Sequence, residues 1–197
     1  MVITIHRKAS PVAEPSLLFS FPRQGIRTDW KQSALSGAFE WVFVQDPKFL
    51  WFVCRVPERP DYDGSLKRGD FVEGLWERDV AEFFVREPSG RYQEFNISPA
   101  GAWWTTVLTS YRTRSAISPS VSGVVIETRG TERDWVAVLG VPLESLAVGV
   151  DCGSSMHVSA IAHRPSARFL SSKPVPTIEP DFHDQRCFSP VSILVES

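Results

Sequence analysis

Cysteine is scarce in this chain and poorly placed for structural work. Cys54, Cys152 and Cys187 are an odd number without metal-ligand spacing, so neither a disulfide framework nor a zinc site is indicated. Cys54 lies in the apolar run 49–56 and reads as a small buried hydrophobe. An excess of charge of one sign is also missing. The net charge is −2, which excludes the clustered basic surface that nucleic acid requires and speaks against adhesion to an anionic membrane. No apolar run reaches the roughly 18 residues of a spanning helix. The opening MVITIHRKAS lacks the apolar stretch of a secretory leader. Its alternation reads as a first strand, and with the cysteine usage it points to a cytoplasmic protein. Long amphipathic helices are absent, and 15 scattered prolines argue against them. No GxSxG, HExxH, P-loop or GxGxxG sequence occurs, so the common catalytic signatures are missing.

What is present is a chain of 197 residues, 43% of them hydrophobic. That suits one domain over 1–197, able to bury roughly 70% of its unfolded surface without a staple. Aromatics are plentiful, with seven Trp and thirteen Phe. Short apolar runs alternate with Gly, Pro, Ser and Asp, the pattern of an all-β domain. Residues 39–44 and 48–56 flank Asp46-Pro47 as a hairpin. Residues 57–69 are polar and rich in Pro and Gly, hence a loop. Residues 79–86 and 91–98 flank the turn sequence EPSG. Further strands are expected over 103–111, 121–128, 134–141, 156–163 and 191–195, with one helical turn over 142–146. About nine or ten strands at this spacing predict an antiparallel β-sandwich, of immunoglobulin or jelly-roll type.

The informative stretch is 74–112, GLWERDVAEFFVREPSGRYQEFNISPAGAWWTTVLTSYR. It carries Glu82 and Glu94 inside strands, where an acid must face solvent or be paired. Trp76 sits at the junction before the first of these strands. An indole beside acids and an amide is the chemistry of a sugar site: the ring covers a CH face while polar groups bond the hydroxyls. Through Gly74-Leu75-Trp76, Asp79-Val80-Ala81-Glu82-Phe83-Phe84, Tyr92-Gln93-Glu94-Phe95-Asn96, Ser98-Pro99, Trp103-Trp104 and Tyr111-Arg112, the segment resembles the family 9 carbohydrate-binding modules and the wider DOMON-like superfamily, most closely a branch of small standalone bacterial proteins. Val141-Pro142-Leu143, Pro180-Asp181-Phe182-His183 and Phe188 are similar to the later parts of the pattern. The resemblance implies a β-sandwich with a concave sheet and a sugar site containing Trp76 and Glu82. Glu94 and Asn96 fall at comparable places on the next strand, with Glu94 where the family has Arg. The family closes its site with a second Trp near the C-terminus, where this chain offers Phe169, Phe182 and His183.

The expected function is therefore non-catalytic binding of a carbohydrate or other small polar ligand on the concave sheet. Trp76 would be the platform, Glu82, Glu94 and Asn96 the hydroxyl partners, and Arg112 with Phe182 or His183 the far wall. Other readings stand beside it. Glu82 could be a structural acid paired to Arg78, Arg112 or Arg114, and Glu94 and Asn96 could lie on a solvated face. Glu82 and Glu94 share a face only if the turn between them is odd in length; sharing one, they could serve as a glycosidase pair. The whole domain could instead be a protein-interaction scaffold or homodimer. A haem domain could use Met156 and His163, though these fall on opposite strand faces. No cofactor is indicated. Asp61 and Asp63 have the chemistry of a Ca²⁺ loop, and Asp181, His183 and Asp184 make a partial metal half-site.

Overall fold

The structure, a computed structural model, describes residues 1–116 and 121–196. Its strands are β1 (Ile3–Arg7), β2 (Gln24–Thr28), β3 (Ala34–Gln45), β4 (Phe49–Val56), β5 (Val80–Arg86), β6 (Tyr92–Ile97), β7 (Trp103–Ser110), β8 (Thr113–Arg114), β9 (Val125–Gly130), β10 (Trp135–Pro142), β11 (Ser155–Ala162), β12 (Arg168–Ser171) and β13 (Ser189–Val195). Among the described residues the helical content is four short 3₁₀ segments, at Pro15–Ser20, Leu75–Glu77, Leu143–Ser145 and Gln185–Cys187.

The strands form two sheets joined through β13. In the first, the order is β13-β1-β3-β4-β10-β9, with β2 sharing the edge of β3. In the second it is β8-β7-β6-β5-β11, with β12 and the start of β13 sharing the far edge of β11. Ser189 and Pro190 pair with β11, and the rest of β13 runs beside β1. All pairings within the second sheet are antiparallel. The first departs from the antiparallel expectation, because β1 lies parallel to both β13 and β3. Parallel neighbours need long connections, and here the first strand of the chain is inserted between its last strand and β3.

The sheets face each other across one core. Alternate residues of β5 (Ala81, Phe83, Val85) and β6 (Phe95, Ile97) point inward against Phe43, Phe52 and Leu139. The Phe83 ring stacks on Phe95 with centroids 4.7 Å apart, and meets Phe52 at 5.0 Å and Phe43 at 5.4 Å from the opposing sheet. This aromatic cluster joins the two sheets across the core, where each buried ring removes a large apolar area from water. The outer face of the first sheet is covered by the N-terminal segment, with Leu18 against Val42, Val44, Trp51 and Val138. The Asp46-Pro47 turn is held from within: the Asp46 carboxylate accepts the N–H groups of Val12, Lys48 and Phe49 and the Trp51 indole N–H at 2.7–2.9 Å.

Phe83→Ala is expected to lower the free energy of unfolding by about 3–5 kcal/mol, the cost of a large aromatic cavity. Urea denaturation measures it; a loss below about 1 kcal/mol would show that the two sheets do not depend on this contact.

Candidate ligand-binding site

Because side chains alternate along a strand, the face of the second sheet turned away from the core carries the other half of each strand. Five residues, 87–91, connect β5 to β6, and the register sets Glu82 opposite Asn96 and Phe84 opposite Glu94. Glu82 and Glu94 therefore share a face. Beside them lie Trp104, Thr106 and Leu108 of β7 and His157, Ser159 and Ile161 of β11. Loops rise around this floor to enclose a pocket of 340 Å³ lined by Trp76, Glu82, Phe84, Glu94, Trp104, Leu108, Arg112, Arg114, Ile161, Phe169, Pro180, Phe182 and His183.

Each wall has an identifiable anchor. Gly74, at φ +88°, takes the left-handed conformation that opens the 3₁₀ turn carrying Trp76. Trp76 is partly exposed and meets Trp104 edge to face, centroids 5.6 Å apart. The fully buried Asp79 fixes the start of β5, its carboxylate accepting the N–H of Asp61 at 3.0 Å and of His163 at 2.7 Å. On the other side, Asp181 ties the loop 180–184 to the β7–β8 turn. It accepts from Tyr111 Oη–H at 2.6 Å, Arg112 Nη2 at 2.9 Å and the N–H of His183 at 3.0 Å. Arg112 holds φ +50° in that turn, an uncommon conformation for a side-chain-bearing residue, and gives its N–H to Tyr92 Oη at 3.2 Å.

The polar groups can be assigned donor by donor. Tyr92 Oη, having accepted from Arg112, donates its O–H to His183 Nδ1 at 2.9 Å. The His183 proton then sits on Nε2, which faces Glu94 Oε2 at 3.9 Å. Burial, followed by the Arg112 charge, lowers the His183 pKa to about 4, so the ring is neutral at pH 7. His157, buried beneath, is lowered to about 3 by desolvation, and bridges the Phe182 carbonyl at 3.1 Å and Ser171 Oγ at 2.8 Å.

The two acids are the least ordinary part. Glu82 and Glu94 retain only 4% and 5% exposure. Glu82 accepts from Ser159 Oγ at 2.9 Å, and Glu94 from Asn96 Nδ2 at 2.8 Å. Among the described residues, no Arg or Lys is ion-paired to either. Burial, and for Glu82 also the neighbouring Glu94, raises both carboxyls well above their ordinary value of 4.5.

Of the residues expected from sequence, Trp76, Glu82, Glu94, Arg112, Phe182 and His183 meet at this pocket. Asn96 does not line it. Its side chain is fully buried beneath Glu94, with Oδ1 unpartnered, so Asn96 orients the acid from below. The arginine pairing considered for Glu82 is not formed: Arg78 binds Asp61, Arg112 binds Asp181 and Arg114 binds Glu73. Nor are Glu94 and Asn96 on a solvated face, because the loops cover it. Met156 lies in the core between the sheets, while His163 caps Asp79, so the two cannot hold one iron. Asp61 is engaged by Arg78 and Arg164, and Asp63 accepts from Ser65. Among the described residues, no three His, Cys, Asp or Glu form a metal-holding group.

Sequence reasoning missed Phe84, Trp104, Leu108 and Ile161 as lining residues, although alternation from Glu82 places Phe84 on the same face. Arg114, which lies 5.0 Å over the Trp104 ring, arrives from another segment, while Phe169 and Pro180 belong to stretches that the family resemblance had pointed to without naming them as lining residues.

The acids and the buried histidines shift stability in opposite directions. A carboxyl whose folded pKa is raised contributes stability that is fully present below its unfolded pKa and lost as pH rises through the folded value. A histidine whose folded pKa is lowered contributes stability that is lost as pH falls below its unfolded value. The two partly offset between about pH 4.5 and 6.5, and the acids dominate above that. The melting temperature is therefore expected to fall from about pH 6.5 to about pH 8.5, and Glu82→Gln to flatten this limb. Thermal scans across the range check it; a wild-type curve that stays level would mean that the acids ionise without penalty.

No family model matches the chain, and no curated protein matches it either. Solved structures do. One is a protein of Bacteroides uniformis, provisionally assigned as carbohydrate-binding, with TM-score 0.73 and 21% identity over 98% of this chain and all of that one. Another is a family 9 carbohydrate-binding module of Caldicellulosiruptor kristjanssonii in complex with glucose, with TM-score 0.63 and 11% identity over 98% of this chain and 97% of the module. A module of that family and organism with cellotriose gives TM-score 0.58 and 10% identity over 98% and 95%. Together with the joined sheets and their single core, these matches give the chain a β-sandwich fold like that of the family 9 carbohydrate-binding modules.

Proposed function

We propose that this chain is a non-catalytic carbohydrate-binding domain and that its sugar seat is the pocket on the outer face of the second sheet. The observation that carries the reading is the pairing of a partly exposed indole, Trp76, with two buried acids on the floor of a 340 Å³ pocket. That volume falls in the roughly 300–1,000 Å³ range of small-ligand sites. A pyranose has an apolar CH face and a rim of hydroxyls. Trp76 offers a ring for the first, and Glu82, Glu94 and the His183 Nε2–H offer acceptors and a donor for the second. Phe169 and Phe182 bound the far side in the place of a second indole. The fold shared with modules solved with glucose and with cellotriose supports the same reading, and the face involved is built by strands whose register leaves no alternative placement for the acids.

Glucose, cellobiose and cellotriose are the probes. Titration by tryptophan fluorescence is expected to show saturable binding of at least one of them, weakened about tenfold or more by Trp76→Ala, since a stacked aromatic face contributes about 1.5 kcal/mol or more. Saturable binding that Trp76→Ala and Glu82→Gln both leave unchanged would place the sugar elsewhere on the domain.

A further inference from the structure

We infer, building on that reading, that the saccharide this pocket selects carries a free amine, as a 2-amino-2-deoxy sugar does, because two buried carboxyl groups stand together on an aromatic-walled floor with no cation of the protein bonded to either. The nearest guanidiniums are already engaged. Arg112 Nη2 is 2.9 Å from Asp181 and Arg114 Nη1 is 2.6 Å from Glu73. The neutral His183 stands 3.9 Å from Glu94. Each acid has one neutral donor, Ser159 for Glu82 and Asn96 for Glu94, which leaves acceptor capacity turned to the cavity.

Burial raises both carboxyls, although the Asn96 hydrogen bond and the charges of Arg114 and Arg112 act the other way on Glu94. An ammonium group placed between them would supply the missing positive charge. It would form charge-assisted hydrogen bonds, which are roughly twice as strong as neutral ones. Trp76, which meets Trp104 edge to face at 5.6 Å, adds a ring whose electron-rich face favours a cation, while the Trp104 ring already carries Arg114 at 5.0 Å. A uronic acid carries the sign of charge that neither carboxyl can complement, and an N-acetylated sugar would bring bulk without charge. As the ammonium binds, a carboxylic proton leaves to solvent for each acid that ionises. The other titratable or charged groups facing the pair are Tyr92, His157, His183, Asp181, Arg112, Arg114 and Glu73, of which the two histidines are held neutral.

The test compares glucosamine, glucose, N-acetylglucosamine and glucuronic acid on the intact chain at pH 7 by isothermal calorimetry, repeated in two buffers of different ionisation enthalpy. Glucosamine is expected to bind about tenfold tighter than glucose, the difference between a charge-assisted and a neutral hydrogen bond, with net proton release seen for glucosamine alone. Glu82→Gln and Glu94→Gln, checked for folding by circular dichroism, are expected to erase that preference, weakening glucosamine about tenfold more than they weaken glucose. Glucose or N-acetylglucosamine binding as tightly as glucosamine, or glucosamine binding without proton release, would overturn the amine assignment and leave carbohydrate binding standing. No heat and no fluorescence change with any of these sugars or with cellotriose would remove both.

Discussion

The stack of Phe83 on Phe95 holds β5 and β6 in one register, and everything on the other side of those strands follows from it. Phe83 lies directly opposite Phe95, and both rings are driven into the sandwich by contact with Phe43 and Phe52. Side chains alternate, so the same pairing sets Glu82 against Asn96 and Glu94 against Phe84 on the outer face. A slip of one residue would move the acids into the core and the phenylalanines into the pocket, which no nearby cation could offset. The core thus specifies the site, although the two share no side chain.

Burying two acids side by side works against folding, and the surroundings show how the molecule tolerates it. Each acid has a fixed neutral donor, and its remaining oxygen faces a cavity open to solvent. Desolvation raises both carboxyls, which favours their neutral forms over a repelling charged pair. Around them the covering loops are pinned by carboxylates of ordinary function. Asp79 gathers backbone N–H groups at one end, and Asp181 gathers Tyr111, Arg112 and His183 at the other. These contacts hold Trp76 and His183 at the rim without spending either on the core, and groups held in place in advance bind with less ordering cost.

Much of the second sheet was legible in the sequence. Strands over 79–86, 91–98 and 103–111 follow from alternation and β-branched or aromatic content, and Trp76 with Glu82 stood out as an indole and an interior acid at a fixed spacing. The short edge strands were read less well. β2 of the first sheet and β12 of the second are short, partly exposed strands on the edges of longer ones, where packing on one side only leaves little hydrophobic pattern. The parallel insertion of β1 between β13 and β3 joins residues from opposite ends of the chain, and nothing local announces such a neighbour. Asn96 was misplaced for a related reason: its amide chemistry suits a ligand, but it is a covering loop, distant in sequence, that decides whether a strand residue sees solvent.

The sequence by itself determined which residues alternate, and so which of them could share a face: Phe83 with Val85 and Ala81, Glu82 with Phe84. That information is local, because the pleat repeats every two residues whatever the strand is packed against. Only the tertiary structure decided which of the two faces became the core and which charges found partners. Arg78, Arg112 and Arg114 were all candidates for Glu82, yet each is held by an acid from another segment, Asp61, Asp181 and Glu73. Ion pairing depends on the distance between groups far apart in the chain, and that distance exists only once the sheets have packed and the loops have closed over Glu82 and Glu94.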